Sequence, residues 1–202
     1  MPDPNSDIAF TPTVKAIQTE RGSRASYARM EELGGFRTAI DERLMAMLAK
    51  ANSAYLGTAT AEGQPYIQHR GGPRGFIRVL GERTLGFADY SGNRQYISTG
   101  NLADNPKAFL FLMDYARKAR IKVWGRARYS DDPAVFAQLM PDGYNARPEA
   151  ALLFDIEAWD INCPQHIPQK FDADEVVAAL AERDDEIARL KADIARLKGI
   201  ET

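Results

Sequence analysis

The 202-residue sequence has little of what several kinds of binding site require. Its single cysteine, Cys163, excludes both an intramolecular disulfide and a cysteine-based zinc site. Its two histidines, His69 and His166, lie far apart in the chain and are a poor set of metal ligands. With a net charge of −2 and an isoelectric point of about 5.8, the chain has no overall positive field to attract nucleic acid or an anionic membrane. The sequence therefore predicts no metal, nucleic-acid or membrane partner.

Long apolar runs and targeting signals are also missing. No apolar run approaches the ~18 residues that cross a bilayer, and the first residues do not place a basic stretch before an apolar one. Hydrophobic residues nevertheless make up 45% of the chain, enough for a folded core. We expect a cytoplasmic protein.

The length fits one domain with appendages. Residues 1–40 read as an N-terminal arm with a short helix interrupted by Gly22, residues 41–170 as the main domain, and residues 171–202 as a C-terminal helix. In the main domain, helices are predicted at 41–51, at 93–102 and from Asp132 to about Met140. Strands are predicted at 54–60, 66–70, 76–80, 84–88, 108–113, 119–129 and 150–159. Short strands with few helices between them favour an antiparallel barrel over βαβ units.

The C-terminal helix carries a heptad pattern. Leu180, Ile187 and Ile194 occupy the a positions, and the d positions hold Val176, Arg183, Leu190 and Leu197. Ile at a with Leu at d favours a two-stranded parallel coiled coil, which Arg183 weakens. A single amphipathic helix packed on its own domain is the alternative.

A turn at 90–93 precedes Arg94 at a predicted helix start. Backbone N–H groups at a helix N-terminus, next to a guanidinium, suit a phosphate group. A surface arginine that caps a loop is the alternative.

Two further segments carry polar groups on predicted strands. In one, Gln68, His69 and Arg70 precede Gly71 and Gly72, which would let a flat ring approach the backbone; a glycine bulge at a barrel corner is the alternative. In the other, alternation places Arg120, Lys122 and Trp124 on one face, which is also typical of a plain edge strand with solvated cations.

The order of these segments resembles the pyridoxamine 5′-phosphate oxidase-like family, the FMN-binding split barrels, over roughly residues 40–168. The resemblance implies a mainly β (α+β) fold: an antiparallel split β-barrel with flanking helices, forming a homodimer with FMN at the interface. The family's turn carries Ser-Arg-Lys on the flavin phosphate, where this chain has Asn93-Arg94-Gln95. One charge would then come from Arg70, Lys122 or Arg126.

The resemblance also implies a set of cofactor-binding residues drawn from these segments. They are Gln68, His69, Arg70, Gly71, Asp89, Asn93, Arg94, Gln95, Asn101, Lys122, Gln165 and His166. The last two lie in the run from Trp159 to Pro168, which would reach the flavin of the partner subunit.

One departure from the family changes the expected activity. The true oxidases end in a segment whose Arg and His grip the substrate phosphate, and this chain has no Arg-x-His pair. We therefore expect an FMN-dependent oxidoreductase of the wider family, acting on an unknown small molecule with NADH or NADPH as a candidate donor and with catalytic residues unassigned. The alternatives are a non-catalytic flavin or small-ligand sensing module, the same barrel with a deazaflavin or haem, and a scaffold whose coiled coil recruits a partner.

Overall fold

The computed structural model describes residues 5–141, 143–162 and 165–199. After a 3-10 helix at Asn5–Ile8, the helices are α1 (Pro12–Glu20), α2 (Arg24–Glu32), α3 (Glu42–Leu48), α4 (Ile97–Asp104), α5 (Pro133–Leu139) and α6 (Ala173–Leu197). The strands are β1 (Ser53–Ala59), β2 (Pro65–Gly71), β3 (Arg78–Val79), β4 (Thr84–Tyr90), β5 (Lys107–Asp114), β6 (Ala119–Ser130) and β7 (Pro148–Asn162).

All seven strands form one antiparallel sheet in the order β2-β1-β5-β6-β7-β4-β3. The sheet curls, so that Arg70 on β2 contacts Asp89 on β4 although no backbone pairing joins those strands in the described residues. This arrangement is a barrel left open along one side, and it confirms the predicted antiparallel split barrel with flanking helices.

Alternating side chains explain why the sheet closes around a core. On β5, Ala108, Leu110 and Leu112 point inward and are buried, while Phe109 and Phe111 point outward. The core also holds large side chains from the other elements, among them Leu44, Leu56, Phe76, Phe87, Phe154 and Trp159. Burial of such apolar side chains contributes roughly 1.5–3 kcal/mol each and is the main stabilising term of the fold.

Two predicted elements differ from the structure. Helix α4 begins at Ile97 rather than at residue 93, because Arg94 and Tyr96 adopt left-handed backbone angles (φ 59° and 53°) that no right-handed helix contains. The strand predicted at 76–80 shrinks to Arg78–Val79, because Phe76 is held in a turn by a bond from its N–H to the Pro73 carbonyl.

The N-terminal segment reaches the outer face of β6 through Phe36. Phe36, which follows α2, stacks on Trp124 with 5.1 Å between ring centroids. Ion pairs connect the parts of this segment to one another. Arg24 donates to Glu31, and the Lys15 ammonium lies 2.5 Å from the Asp7 carboxylate.

Helix α6 projects from the barrel and has no buried residue. Its start is attached through Arg74, which donates to Asp172 at 2.7 Å and lies within 3.5 Å of Asp174 and Glu175. The alternative in which this helix packs along its own domain is therefore not the observed arrangement. None of the described helices combines the length and apolar character that a membrane crossing requires.

Candidate functional site

A cavity of about 220 Å³ lies at the open side of the barrel, between β2, the end of β4, the turn at residues 91–96 and the start of α4. Six of the predicted site residues line it: Gln68, Arg70, Asp89, Asn93, Arg94 and Gln95. Tyr66, Tyr90, Tyr96, Ser98, Thr99 and Glu149 complete most of the wall. The fold thus brings two distant polar segments of the sequence to one place.

The start of α4 provides unused backbone donors in this cavity. Tyr96, at the N-cap, makes no side-chain capping bond, so the first N–H groups of the helix lack the partner that a Ser or Asp cap would give. The two left-handed residues before the helix, Arg94 and Tyr96, are not glycines, and such conformations are held mainly where function or surrounding packing requires them. Together with the helix dipole, these N–H groups favour an anion.

Arg94 places an exposed positive charge beside those donors. Its side chain is 67% exposed, its Nε donates to the Tyr96 hydroxyl at 2.9 Å, and Glu149 lies 3.8 Å away. The Ser91 hydroxyl donates to the Glu149 carboxylate at 2.9 Å. Glu149 therefore keeps a partner when the Arg94 guanidinium turns to an incoming anion, and no buried charge is left unpaired.

A second guanidinium, Arg70, is engaged inside the protein. It donates to Asp89 on β4 and, at 2.7 Å, to the Tyr129 hydroxyl on β6, while its buried Nε has no hydrogen-bond partner among the described residues. Burial raises the pKa of Asp89, against the opposing pull of Arg70, and burial also raises the pKa of Tyr129 to about 12. These three side chains tie together the strands on either side of the opening.

Two amides hold α4 over this end of the barrel. Asn101 is buried and donates to the Thr58 hydroxyl at 3.0 Å, so its immediate contact is structural. Gln68 accepts a bond from the Ser98 hydroxyl at 2.8 Å, which links β2 to the first turn of the helix.

The other predicted site residues do not line this cavity, although His69 and Gly71 border a neighbouring space that adjoins it at Arg70 and Asp89. His69 points to the outer face, where its ring meets Tyr55 edge-on at 5.7 Å. Lys122 also lies on an outer face, 3.0 Å from Asp160 and above the Phe36 and Trp124 rings. Gln165 and His166 are exposed beyond β7.

The glycines after Arg70 have a packing role. A Cβ on Gly71 would lie 3.0 Å from the His69 ring, and one on Gly72 would lie 2.7 Å from Phe76. Neighbouring side chains of the same chain therefore take up the space that these glycines leave.

Several wall residues were missed at the sequence level. Tyr129 reaches Arg70 only because the sheet curls, and Ser98 and Thr99 enter the cavity only because α4 starts late. The sequence signal that could have found Ser98 and Thr99 is their position between a turn without a Ser, Thr, Asp or Asn cap and the Asn-Pro that ends the helix.

Neighbouring space extends the cavity on both sides of Asp89. One region of about 410 Å³ runs past Tyr96, Tyr129 and Arg147, and another of about 210 Å³ lies between Arg70 and Phe87. A separate cavity of about 290 Å³ at the base of α6 has its own ion pairs, Arg117 with Asp114 and Arg74 with Asp172, and lies apart from these groups.

No cluster of three or more His, Cys, Asp or Glu residues in the described part of the chain could hold a metal ion.

Comparison with known proteins identifies similar sequences and folds. The model of the pyridoxamine 5′-phosphate oxidase family matches residues 40–163. Among curated proteins, none matches this sequence. A crystal structure of a HupZ variant from Group A Streptococcus is 19% identical, with a TM-score of 0.50, and the match covers 61% of this chain and 99% of that one. An FMN-binding protein from Syntrophomonas wolfei is 16% identical, with a TM-score of 0.48 and coverage of 73% and 97%. At 19% identity the likeness to the HupZ variant concerns the fold alone.

Proposed function

The chain belongs to the pyridoxamine 5′-phosphate oxidase family, and on that premise we propose that it binds FMN with the phosphate at the start of α4. The observation that carries this proposal is the uncapped, left-handed turn that leads into α4 beside Arg94. An anion placed there would accept bonds from backbone N–H groups and from a guanidinium.

The groups around the turn suit a phosphate that is held by one cationic side chain rather than two. Gln95 stands where the family has a lysine, and Lys122, a candidate for the second charge, is occupied on the outer face by Asp160. Arg70 is likewise bound to Asp89 and Tyr129. Other donors that line the cavity include the Thr99 hydroxyl and the side chains of Asn93 and Gln95. The Ser98 hydroxyl already donates to Gln68.

The rest of the flavin would extend from this turn into the space around Asp89. When bound, FMN supplies the hydride or electron transfer. The chain contributes Gln68, which faces the cavity from β2, and Arg70, Asp89 and Tyr129, which hold that strand against β4. Their roles are to orient the cofactor and to limit water at this side of the barrel.

We assign the protein to oxidoreductase chemistry on a small molecule, with NADH or NADPH as the candidate electron donor. One observation favours the non-catalytic alternative, a flavin-binding or sensing module. Asp89, which is mostly buried at the cavity, is already bound to Arg70.

We also propose a homodimer in which Gln165 and His166 reach the flavin of the partner subunit. An apolar outer face supports this assembly: Tyr55 and Ile67 are 38% and 69% exposed, next to the outward-facing Phe109 and Phe111. Aromatic side chains gathered on one sheet face are typical of a subunit interface.

The absorbance spectrum of the purified protein, with and without added FMN, tests the proposal. Flavin bands that remain after gel filtration, with a stoichiometry near one per chain, would support it. Bleaching of these bands by NADH or NADPH without oxygen, and their return when an electron acceptor is added, would support an oxidoreductase. A protein that stays colourless with excess FMN would overturn the cofactor assignment. Bound flavin that neither nucleotide reduces would favour the sensing module.

A further inference from the structure

Helix α6 exposes an apolar stripe that its own chain leaves uncovered. The helix has 25 residues, about 38 Å in length at 1.5 Å per residue, and none is buried. Six of its large apolar side chains are between 42% and 82% exposed: Val176, Leu180, Ile187, Leu190, Ile194 and Leu197. These residues are spaced so that they share one side of the helix, and a stripe of this kind is stable in water only when another surface covers it.

The residue types on the stripe point to a second helix of the same kind. Ile187 and Ile194 lie at a positions, and Leu190 and Leu197 lie at the d positions that follow them. β-branched residues at a with leucine at d favour two strands over three or four. One helix from a second copy of the chain meets this requirement.

Charges beside the stripe determine the orientation of that second helix. The g positions of the last two heptads hold Glu186 and Asp193, and the e positions that follow them hold Lys191 and Lys198. In a parallel pair, each g side chain faces the e side chain of the partner's next heptad. Glu186 then meets Lys191 of the partner subunit, and Asp193 meets Lys198 of the partner subunit. An antiparallel pair would place the acidic g positions opposite each other.

We propose that α6 forms a parallel, in-register, two-stranded coiled coil with α6 of a second copy of this chain. This inference deepens the proposed homodimer by naming the contacts and direction of one of its interfaces. The acids remain available for it: Glu186 pairs with Arg189 and Asp193 with Arg196 along their own helix, and each carboxylate has a second oxygen to accept a lysine.

Arg183 fits this arrangement although it occupies a d position. In a parallel pair a d side chain packs beside the partner's e position, so the guanidinium of Arg183 lies close to Asp184 of the partner subunit. A charged core position weakens the pair but is satisfied only in one alignment, so Arg183 fixes the register.

The barrel contributes by holding the base of α6. Arg74 binds Asp172 and approaches Asp174 and Glu175, and the Asn52 side chain donates to Asp172 at 2.8 Å. Because these contacts orient the first turn, a short coil of about three heptads loses less freedom on pairing than a free helix would.

Disulfide trapping in the full-length protein tests the proposal. In a Cys163→Ser background, Leu190→Cys places a thiol at the d position, where the two copies of residue 190 face each other. Ala192→Cys, at the f position on the opposite side of the helix, is the matched control. We expect mild oxidation to convert most of the Leu190→Cys chain into a covalent dimer, while the Ala192→Cys chain stays uncrosslinked. No cross-link at residue 190, equal cross-linking at the two positions, or a particle larger than a dimer would overturn the proposal.

Charge reversal provides a second, independent test. Adding Lys191→Glu to the Leu190→Cys chain places two acids together and should slow the cross-link, and adding Glu186→Lys as well should restore the parental rate. A double variant no faster than the single one would overturn the assigned charge pairs. FMN content measured on the same samples separates the two proposals, since flavin can bind without cross-linking and cross-linking can occur without flavin.

Discussion

The Arg70 guanidinium on β2 binds the Asp89 carboxylate on β4 across the open side of the barrel, where the backbone of the described residues makes no strand pairing. Their side chains are only 12% and 18% exposed, so each charge depends on the other for compensation. The pair therefore joins β2, the strand at one end of the sheet, to β4, the next-to-last strand at the other end, at the cavity proposed for the flavin.

Replacing Asp89 should destabilise the fold. Asp89→Asn keeps the size of the side chain but leaves Arg70 buried without a counter-charge, and we expect a loss of about 2–4 kcal/mol in the free energy of unfolding. Urea denaturation measures it. The control is Arg128→Gln, which breaks the exposed Arg128–Asp155 pair and should cost less than about 1 kcal/mol. Equal losses in the two variants would contradict a special role for the Arg70–Asp89 pair.

Arg94 should contribute to FMN affinity through its charge. We expect Arg94→Ala to weaken FMN binding about 10- to 100-fold, the equivalent of roughly 1.5–3 kcal/mol for hydrogen bonds to a charged group. Arg94→Lys should retain part of the affinity. Fluorescence quenching of FMN on titration gives the dissociation constants. The control is Arg43→Ala, which replaces an exposed arginine on α3 and should bind FMN like the parent. An unchanged FMN dissociation constant in Arg94→Ala would contradict the assignment of Arg94 to the phosphate.

Two glycines should respond to alanine in opposite directions. A Cβ on Gly125, where the β6–β7 register shifts, would lie 2.1 Å from the Asp155 carbonyl oxygen, so Gly125→Ala should cost about 1–3 kcal/mol. Gly100 lies in α4 with open space around it, and Gly100→Ala should stabilise by about 0.5–1 kcal/mol. Thermal unfolding of both variants measures the difference, and a neutral Gly125→Ala would mean that the bulge can move.

The N-terminal helices should loosen in acid. Burial acts to raise the pKa of Glu31, but the bond from Arg24 and the nearby Lys15 outweigh it, and the pKa lies below its ordinary value of 4.5. A carboxyl whose pKa falls on folding stabilises the folded state above its unfolded pKa, and this contribution is lost as pH falls through the folded pKa.

Hydrogen exchange of α1 and α2 below pH 4.5 tests this. In the parent, their opening free energy should drop by about 1–3 kcal/mol as Glu31 is protonated. In Glu31→Gln the opening free energy should be low from the start and should vary little with pH. In Glu20→Gln, at an exposed position, it should follow that of the parent. Parallel curves for the parent and Glu31→Gln would contradict the expectation.

Much of the fold was predictable because its signals are local. The helices predicted from residue 41 and from Asp132 begin close to those positions in the structure. There Asp41 and Asp132 accept bonds from the backbone N–H groups of Leu44 and Ala134 and cap α3 and α5. The start of α4 was predicted too early because propensity contains no sign that Arg94 and Tyr96 adopt left-handed angles.

The candidate site was predictable where its residues are neighbours in sequence. Asn93, Arg94 and Gln95 share one turn, and Gln68 and Arg70 share one strand face. Lys122 shows the limit of this reasoning. Alternation groups it with Trp124 but does not say which face is inward, and Phe36, far away in the sequence, covers that face.

Strand β2 ends the sheet, and its outer edge therefore carries backbone donors and acceptors that no other strand among the described residues uses. Such an edge is a template on which another chain can add a strand. Here Pro65 opens the strand, Arg70 places a charge near its end, and α4, fastened by Asn101, lies over the opening. A chain that fails to seat α4 is therefore expected to aggregate through β2 before it unfolds completely.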